Sequence, residues 1–171
     1  GFVGKALISD LIKKNNIEVV SLLRSYQVQP QVVEQLIAEN IFKLDFPENI
    51  DVIIHLAGRA HILNEQTTDP LSEFRKVNVE GTLQLARQAL DKKIKRFIFM
   101  SSIGVNGSVT LRQPFTEDAL PQPHADYAVS KLEAERELKK LFAGSDTELV
   151  IIRPPLVYAA HAPGNFARLL K

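Results

Sequence analysis

Asp51-Val52-Ile53-Ile54-His55-Leu56 is the stretch that decides the fold. It is almost continuously apolar and does not alternate. A strand with one wet face alternates, whereas a strand covered on both faces reads as an unbroken apolar run. The stretch therefore predicts a strand over residues 51–56 that is buried on both faces. Residues 96–101 (Arg-Phe-Ile-Phe-Met-Ser) read the same way, and so do residues 148–152, which Arg153-Pro154-Pro155 stops.

Helical patterns separate these runs. Asp69 followed by Pro70 supplies an N-cap and a first-position proline, for a helix running to about residue 90. Residues 126–142, rich in Lys, Glu and Leu, predict another helix. Upstream, Leu7, Ile8, Leu11 and Ile12 give residues 5–14 helical spacing, and residues 18–23 form a β-branched and leucine run. Val32, Val33, Leu36 and Ile37 fall on one face of a helix expected over 30–39, and residues 41–44 are a short strand candidate. Strands separated by helices imply parallel pairing through right-handed crossovers, so the expected class is α/β with a doubly wound parallel sheet.

Composition narrows the function classes. The 171 residues carry 21 Lys and Arg against 20 Asp and Glu, a net charge of +1. That balance disfavours nucleic-acid binding driven by charge. With no cysteine, a disulfide framework, a thiolate nucleophile and a Cys-ligated zinc are all excluded. His55 and His61 flank a strand end without an acidic cluster, so no metal is expected, and His55 reads as a core residue. No apolar run approaches the roughly 18 residues of a membrane span. A cytoplasmic protein without membrane or nucleic-acid partners is the expectation.

Gly1-Phe2-Val3-Gly4 stands directly before a helix. Such a pair serves either as an ordinary turn or as a turn that lets backbone approach a pyrophosphate at the helix N-terminus. In the pattern Gly-x-x-Gly-x-x-Gly, these are the last two glycines. The first glycine, and the strand before it, are then expected upstream of residue 1. The 171 residues read as part of a longer chain.

Tyr127 and Lys131 lie one helical turn apart on one face. An ammonium beside a phenol favours phenolate, which predicts a Tyr127 pKa moved toward neutral. Such a tyrosine exchanges a proton with a hydroxyl while a hydride moves to or from a nicotinamide. An amphipathic helix also places such a pair by chance. Ser101 and Ser102 close the strand over 96–101, at the carboxyl end where ligands bind in open α/β sheets. There a serine either bonds a substrate oxygen or caps the strand.

Six stretches together resemble one family: Gly1-Phe-Val-Gly4, His55-Leu-Ala-Gly58, Val77-Asn78-Val-Glu-Gly81-Thr82, residues 97–107, Tyr127-Ala-Val-Ser-Lys131 and Arg153-Pro-Pro-Leu-Val-Tyr158. The chain is similar to the extended short-chain dehydrogenase/reductases of the NAD-dependent epimerase/dehydratase type, which act on nucleotide sugars. From Arg153 onward it looks most like the bacterial 4-epimerase-like members acting on UDP-glucose or UDP-N-acetylglucosamine. The resemblance implies a Rossmann-type cofactor domain over 1–158 and the start of a substrate-binding region over 159–171. It implies Tyr127 as acid/base, Lys131 as its tuner and a ribose contact, and Ser102 as the substrate-hydroxyl partner. Gly1, Phe2, Val3 and Gly4 match the pyrophosphate turn, and Asp45 the adenine contact. Leu56, Ala57, Gly58 and Pro154 match segments that pass the cofactor. His61 and Asn165 are implied substrate contacts, and Asn78 a structural support. A homodimer through the helices at 69–90 and 126–142 is implied as well.

Three positions depart from the family pattern. Arg24 stands where an NAD site carries an acidic residue, which keeps NADP open as cofactor and an NADPH-dependent UDP-4-keto-6-deoxy-sugar 4-reductase open as activity. Asn106 and Ala159 replace a usual tyrosine and glycine. A nucleotide-binding protein without catalysis is the alternative of another class. The charged run 131–140 reads mostly as a solvated helix face, and Arg153 as a tether at a strand end.

Overall fold

The computed structural model describes residues 1–23, 25, 34–37, 46–60, 67–110 and 113–158. The chain forms two compact units, Gly1–Phe46 and Pro47–Lys171.

In the first unit, helix α1 (Phe2–Leu11) leads to strand β1 (Val20–Leu23), which pairs in parallel with β2 (Glu34–Ile37). The helix expected over 30–39 is thereby corrected: its described part is strand. Leu36 and Ile37 satisfy a helical stripe and a short strand equally well, and such brief apolar runs carry no periodicity that separates the two. Pairing of Leu22 with Leu36 and Leu23 with Ile37 decides between them. The strand expected over 41–44 lies outside the described residues.

In the second unit, β3 (Val52–His55), β4 (Arg96–Met100) and β5 (Glu148–Ile152) form a parallel sheet in the order β3-β4-β5. Register pairs His55 with Phe99 and Phe99 with Ile151. Phe97 and Phe99 are fully buried, a contribution of roughly 2–3 kcal/mol each. Phe97 meets Phe142 at 5.4 Å between ring centroids, and His55 stacks on Phe99 at 5.9 Å. Ile54 and Ile98, on the other face, are half-buried. Burial on both faces is therefore not what the described residues show. The helices of this unit meet the face that carries Phe97 and Phe99.

Those helices follow their local signals. Asp69 accepts from the Ser72 N–H at 3.1 Å and Pro70 opens α2 (Pro70–Arg75). The single helix expected to residue 90 is α2, a π-helical turn (Lys76–Glu80) and α3 (Gly81–Asp91). Helix α4 (Asp126–Leu141) has Asp126 in its first turn and Lys139 and Lys140 in its last, which complements the helix dipole. Its buried stripe runs through Ala128, Lys131, Leu132, Glu135 and Leu138.

Candidate active site

The first two turns of α4 carry Tyr127 and Lys131. Lys131 is 3% exposed and donates from Nζ to the Met100 carbonyl at 2.9 Å, with Nζ 4.5 Å from the Phe99 ring centroid and 6.0 Å from that of Tyr127. Burial pushes its pKa down to about 8, and the Glu135 carboxylate opposes that push. Tyr127 is half-buried against the edge of Phe74, 6.2 Å between centroids. Its burial moves the phenol pKa up. The downward shift predicted from the Tyr-x-x-x-Lys spacing is corrected here. The ammonium is bound to a backbone carbonyl and desolvation of the phenol prevails.

Two glycines bring neighbouring loops against this helix. A methyl group at Gly58 would stand 3.2 Å from Asn78 Oδ1 and 3.5 Å from Lys131 Nζ, so the loop after β3 passes close to Lys131 and a side chain there would press on Asn78. A methyl group at Gly104 would stand 3.4 Å from both Ala128 Cβ and Ser102 Oγ. Ser102 and the first turn of α4 thus flank one glycine. Ser102 Oγ accepts from the Gly104 N–H at 3.1 Å and caps a 3₁₀ turn (Ile103–Val105).

Asn78 is buried in the π-helical turn. Its Oδ1 accepts from the Arg59 N–H at 2.7 Å, and its Nδ2 donates to the Arg59 carbonyl at 3.1 Å and to Ser130 Oγ at 3.0 Å. Ser130 Oγ in turn donates to the Tyr127 carbonyl at 2.8 Å. The supporting role expected for Asn78 is visible in these contacts. The Ile103 N–H donates to the Pro154 carbonyl at 3.0 Å, tying the segment after β5 to the end of β4. His55 is 5% exposed and shares a 2.9 Å hydrogen bond between Nε2 and Thr82 Oγ1. It is a core residue, with its pKa lowered to about 3 chiefly by burial and secondarily by Lys131.

One residue escapes the sequence patterns. Glu135 belongs to the run read as a solvated face, yet it is 1% exposed. Its carboxylate receives Ser101 Oγ at 2.5 Å, Arg153 Nε at 2.9 Å and Arg153 Nη2 at 2.6 Å. The signal was present: Glu135 is one turn beyond Lys131 and two beyond Tyr127, on the face that meets the sheet. Arg153 is the strand-end tether expected, and its Nη1 also reaches Asn106 Oδ1 at 3.3 Å.

In the other unit, α1 starts from an N-cap glycine with no side-chain cap and no acidic residue in its first turn. A side chain at Gly1 would meet nothing within 4 Å. Leu56 is half-buried, and Ala57 and Gly58 are exposed. Arg24, Asp45, His61 and Asn165 lie outside the described residues. Among the described residues no group of three His, Cys, Asp or Glu is placed to hold a metal ion, and no helix is long and apolar enough to cross a membrane. A hollow of about 430 Å³ lined by Lys139, Phe142 and Ile151 lies toward the far end of α4 from Tyr127 and is separate from this site.

The model of the NAD dependent epimerase/dehydratase family matches residues 1–170. The chain belongs to that family. It is 40% identical to a UDP-glucose 4-epimerase of Vibrio cholerae over 100% of this chain and 53% of the relative. To the N-acetyl-alpha-D-glucosaminyl-diphospho-ditrans,octacis-undecaprenol 4-epimerase of Escherichia coli O157:H7 it is 29% identical, over 100% of this chain and 50% of the relative. The solved UDP-glucuronic acid 4-epimerase of Bacillus cereus in complex with NAD superposes with a TM-score of 0.77 at 26% identity, covering 92% of this chain and 55% of that one. The chain spans about half the length of the curated relatives it matches. These family members share its α/β fold.

Proposed function

We propose that this chain is the cofactor-binding and catalytic part of a nucleotide-sugar 4-epimerase that uses NAD and acts on UDP-glucose or UDP-N-acetylglucosamine. The observation that carries this reading is that Tyr127 and Lys131 share one face at the start of α4, with Gly58 packed close to Lys131 and Gly104 lying between Ser102 and Ala128 of the same helix. The 40% identity to a UDP-glucose 4-epimerase supports the substrate class.

The residues present fit a dinucleotide. The uncapped first turn of α1 offers N–H groups with no carboxylate to repel a pyrophosphate. Gly1, Phe2, Val3 and Gly4 would hold that group, Lys131 the nicotinamide ribose, and Gly58 and Pro154 would border the ring. Asp45 is the proposed adenine contact, with Arg24 beside the adenosine ribose. When bound, NAD supplies the acceptor and donor of a hydride at the sugar carbon.

The chain's own residues handle the proton. Tyr127 takes the proton of the sugar 4-hydroxyl, Ser102 orients that oxygen, and Tyr127 returns the proton once the 4-keto sugar has presented its other face. A phenol raised by burial needs a cation close by to act as a base, and Lys131 is the cation on its face of α4. The working enzyme would be a homodimer through α2–α3 and α4, located in the cytoplasm. Residues 159–171 would open the sugar pocket, with His61 and Asn165 as substrate contacts.

Replacing Tyr127 by Phe in the full-length protein should lower epimerisation of both UDP-sugars by at least about 100-fold. Unchanged epimerisation would overturn the reading. Stoichiometric NADPH oxidation on a UDP-4-keto-6-deoxy sugar would replace it with the reductase.

A further inference from the structure

The three segments that carry the proposed chemistry converge on one buried carboxylate. Glu135 stands one turn after Lys131 on α4. It receives Ser101 from the end of β4, directly before Ser102, and both Nε and Nη2 of Arg153, directly before Pro154. Further backbone bonds close the junction: the Ser101 N–H donates to the Ile152 carbonyl at 2.7 Å and the Ile103 N–H to the Pro154 carbonyl at 3.0 Å. Arg153 spreads the clamp to Asn106 Oδ1 and the Glu117 carbonyl. A bidentate pair with a buried carboxylate and a part-buried guanidinium is a poor device for stability alone, because desolvating the carboxylate offsets much of the attraction. It is a good device for fixing geometry, because a planar guanidinium fork accepts one arrangement.

From this convergence we infer that Glu135 is a positioning residue for catalysis, resting on the epimerase reading above. It sets where Ser102 stands relative to Lys131, and it keeps a negative charge beside the ammonium. Among the described residues, the titratable groups facing Lys131 are Tyr127 and Glu135 on its own helix and His55 from β3, which burial keeps neutral. Arg153 stands behind Glu135. Without the carboxylate, Lys131 loses the negative charge that opposes its desolvation and keeps only the Met100 carbonyl and the Phe99 ring as support.

The test is Glu135→Gln in the full-length protein, with NAD and UDP-glucose affinity, kcat per cofactor-loaded site and the pH profile of kcat measured. Glutamine keeps the volume and can still accept from Ser101 or Arg153. The expected result is cofactor and substrate affinity within about threefold, and kcat lower by about 10- to 100-fold, the cost of small misplacements at a reacting centre. The alkaline limb of the kcat profile should move to lower pH. If Glu135 serves packing alone, the folded fraction falls while kcat per loaded site and the alkaline limb stay put, and the inference is overturned. Should Glu135→Gln not fold, Ser101→Ala cuts only the β4 arm of the clamp. Lowered kcat with unchanged NAD affinity supports the inference, and unchanged kcat refutes it. Tyr127→Phe run in parallel separates the two readings: an inactive Tyr127→Phe beside a normal Glu135→Gln rejects only the role of Glu135.

Discussion

The side chain of Asn78 holds both the N–H and the carbonyl of Arg59, at 2.7 and 3.1 Å. This pins the loop after β3 to the π-helical turn, and the remaining Nδ2 hydrogen carries the link on to Ser130 in α4. Gly58, next to Arg59, is thereby held against Lys131. A π-helical turn widens the helix by one residue and is frequent at functional sites. Here it carries a fully buried asparagine between two elements of the candidate site.

Asn78→Ala removes these bonds while the groups they satisfied stay buried or half-buried. At roughly 1–3 kcal/mol for each buried group left unsatisfied, the variant should lose about 2–5 kcal/mol. Asn78→Asp keeps the acceptor for the Arg59 N–H but loses both donations, so it should fall between wild type and alanine. Urea unfolding of the three proteins checks the order, and a wild-type midpoint for Asn78→Ala would refute it.

His55 should make the protein sensitive to acid. Its folded pKa of about 3 lies below the unfolded value of 6.5. The unfolded chain therefore binds the proton first. The stability His55 contributes is full above pH 6.5 and is lost as pH falls toward 3, by as much as roughly 5 kcal/mol across that window. His55→Gln should flatten the unfolding free energy between pH 6.5 and 4 relative to wild type. Parallel curves for the two proteins would show that His55 is not the group responsible.

Lys131 should act in the opposite pH range. Its folded pKa of about 8 lies below the unfolded 10.5, so the folded protein releases the proton first as pH rises. Wild-type stability should then gain up to about 3 kcal/mol between pH 8 and 10.5, relative to a Lys131→Met variant that cannot titrate there. Unfolding curves at pH 7, 9 and 10.5 check the difference. The same variant should abolish epimerisation at every pH.

Much of this was legible along the chain. The continuous apolar runs placed β3, β4 and β5, because parallel strands under helices need few polar positions. Asp69-Pro70 located the start of α2, because capping acts through adjacent residues. Ser102, Tyr127 and Lys131 stand out as candidates because a strand end and one helical turn are local spacings. β2 is not legible in the sequence because Leu36 and Ile37 fit two periods, and only pairing with β1 chooses between them. Glu135 does not stand out in the sequence because a glutamate in a charged run normally faces water. Its burial depends on Arg153 and Ser101, which are distant in sequence.

By itself, then, the amino-acid sequence determined the α/β class and the family and marked the candidates for moving a proton, since these follow from local periodicity and short-range spacing. Only the tertiary structure decided the electrostatics of those residues. Tyr127 is raised and Lys131 lowered because packing removes water from both, while the Lys131 ammonium turns to the Met100 carbonyl. The run over residues 51–56, which reads as a strand with two buried faces, has one face packed by helices and the other half-buried in the described unit. Desolvation depends on which segments fold over a side chain, and no window of neighbouring residues contains that information.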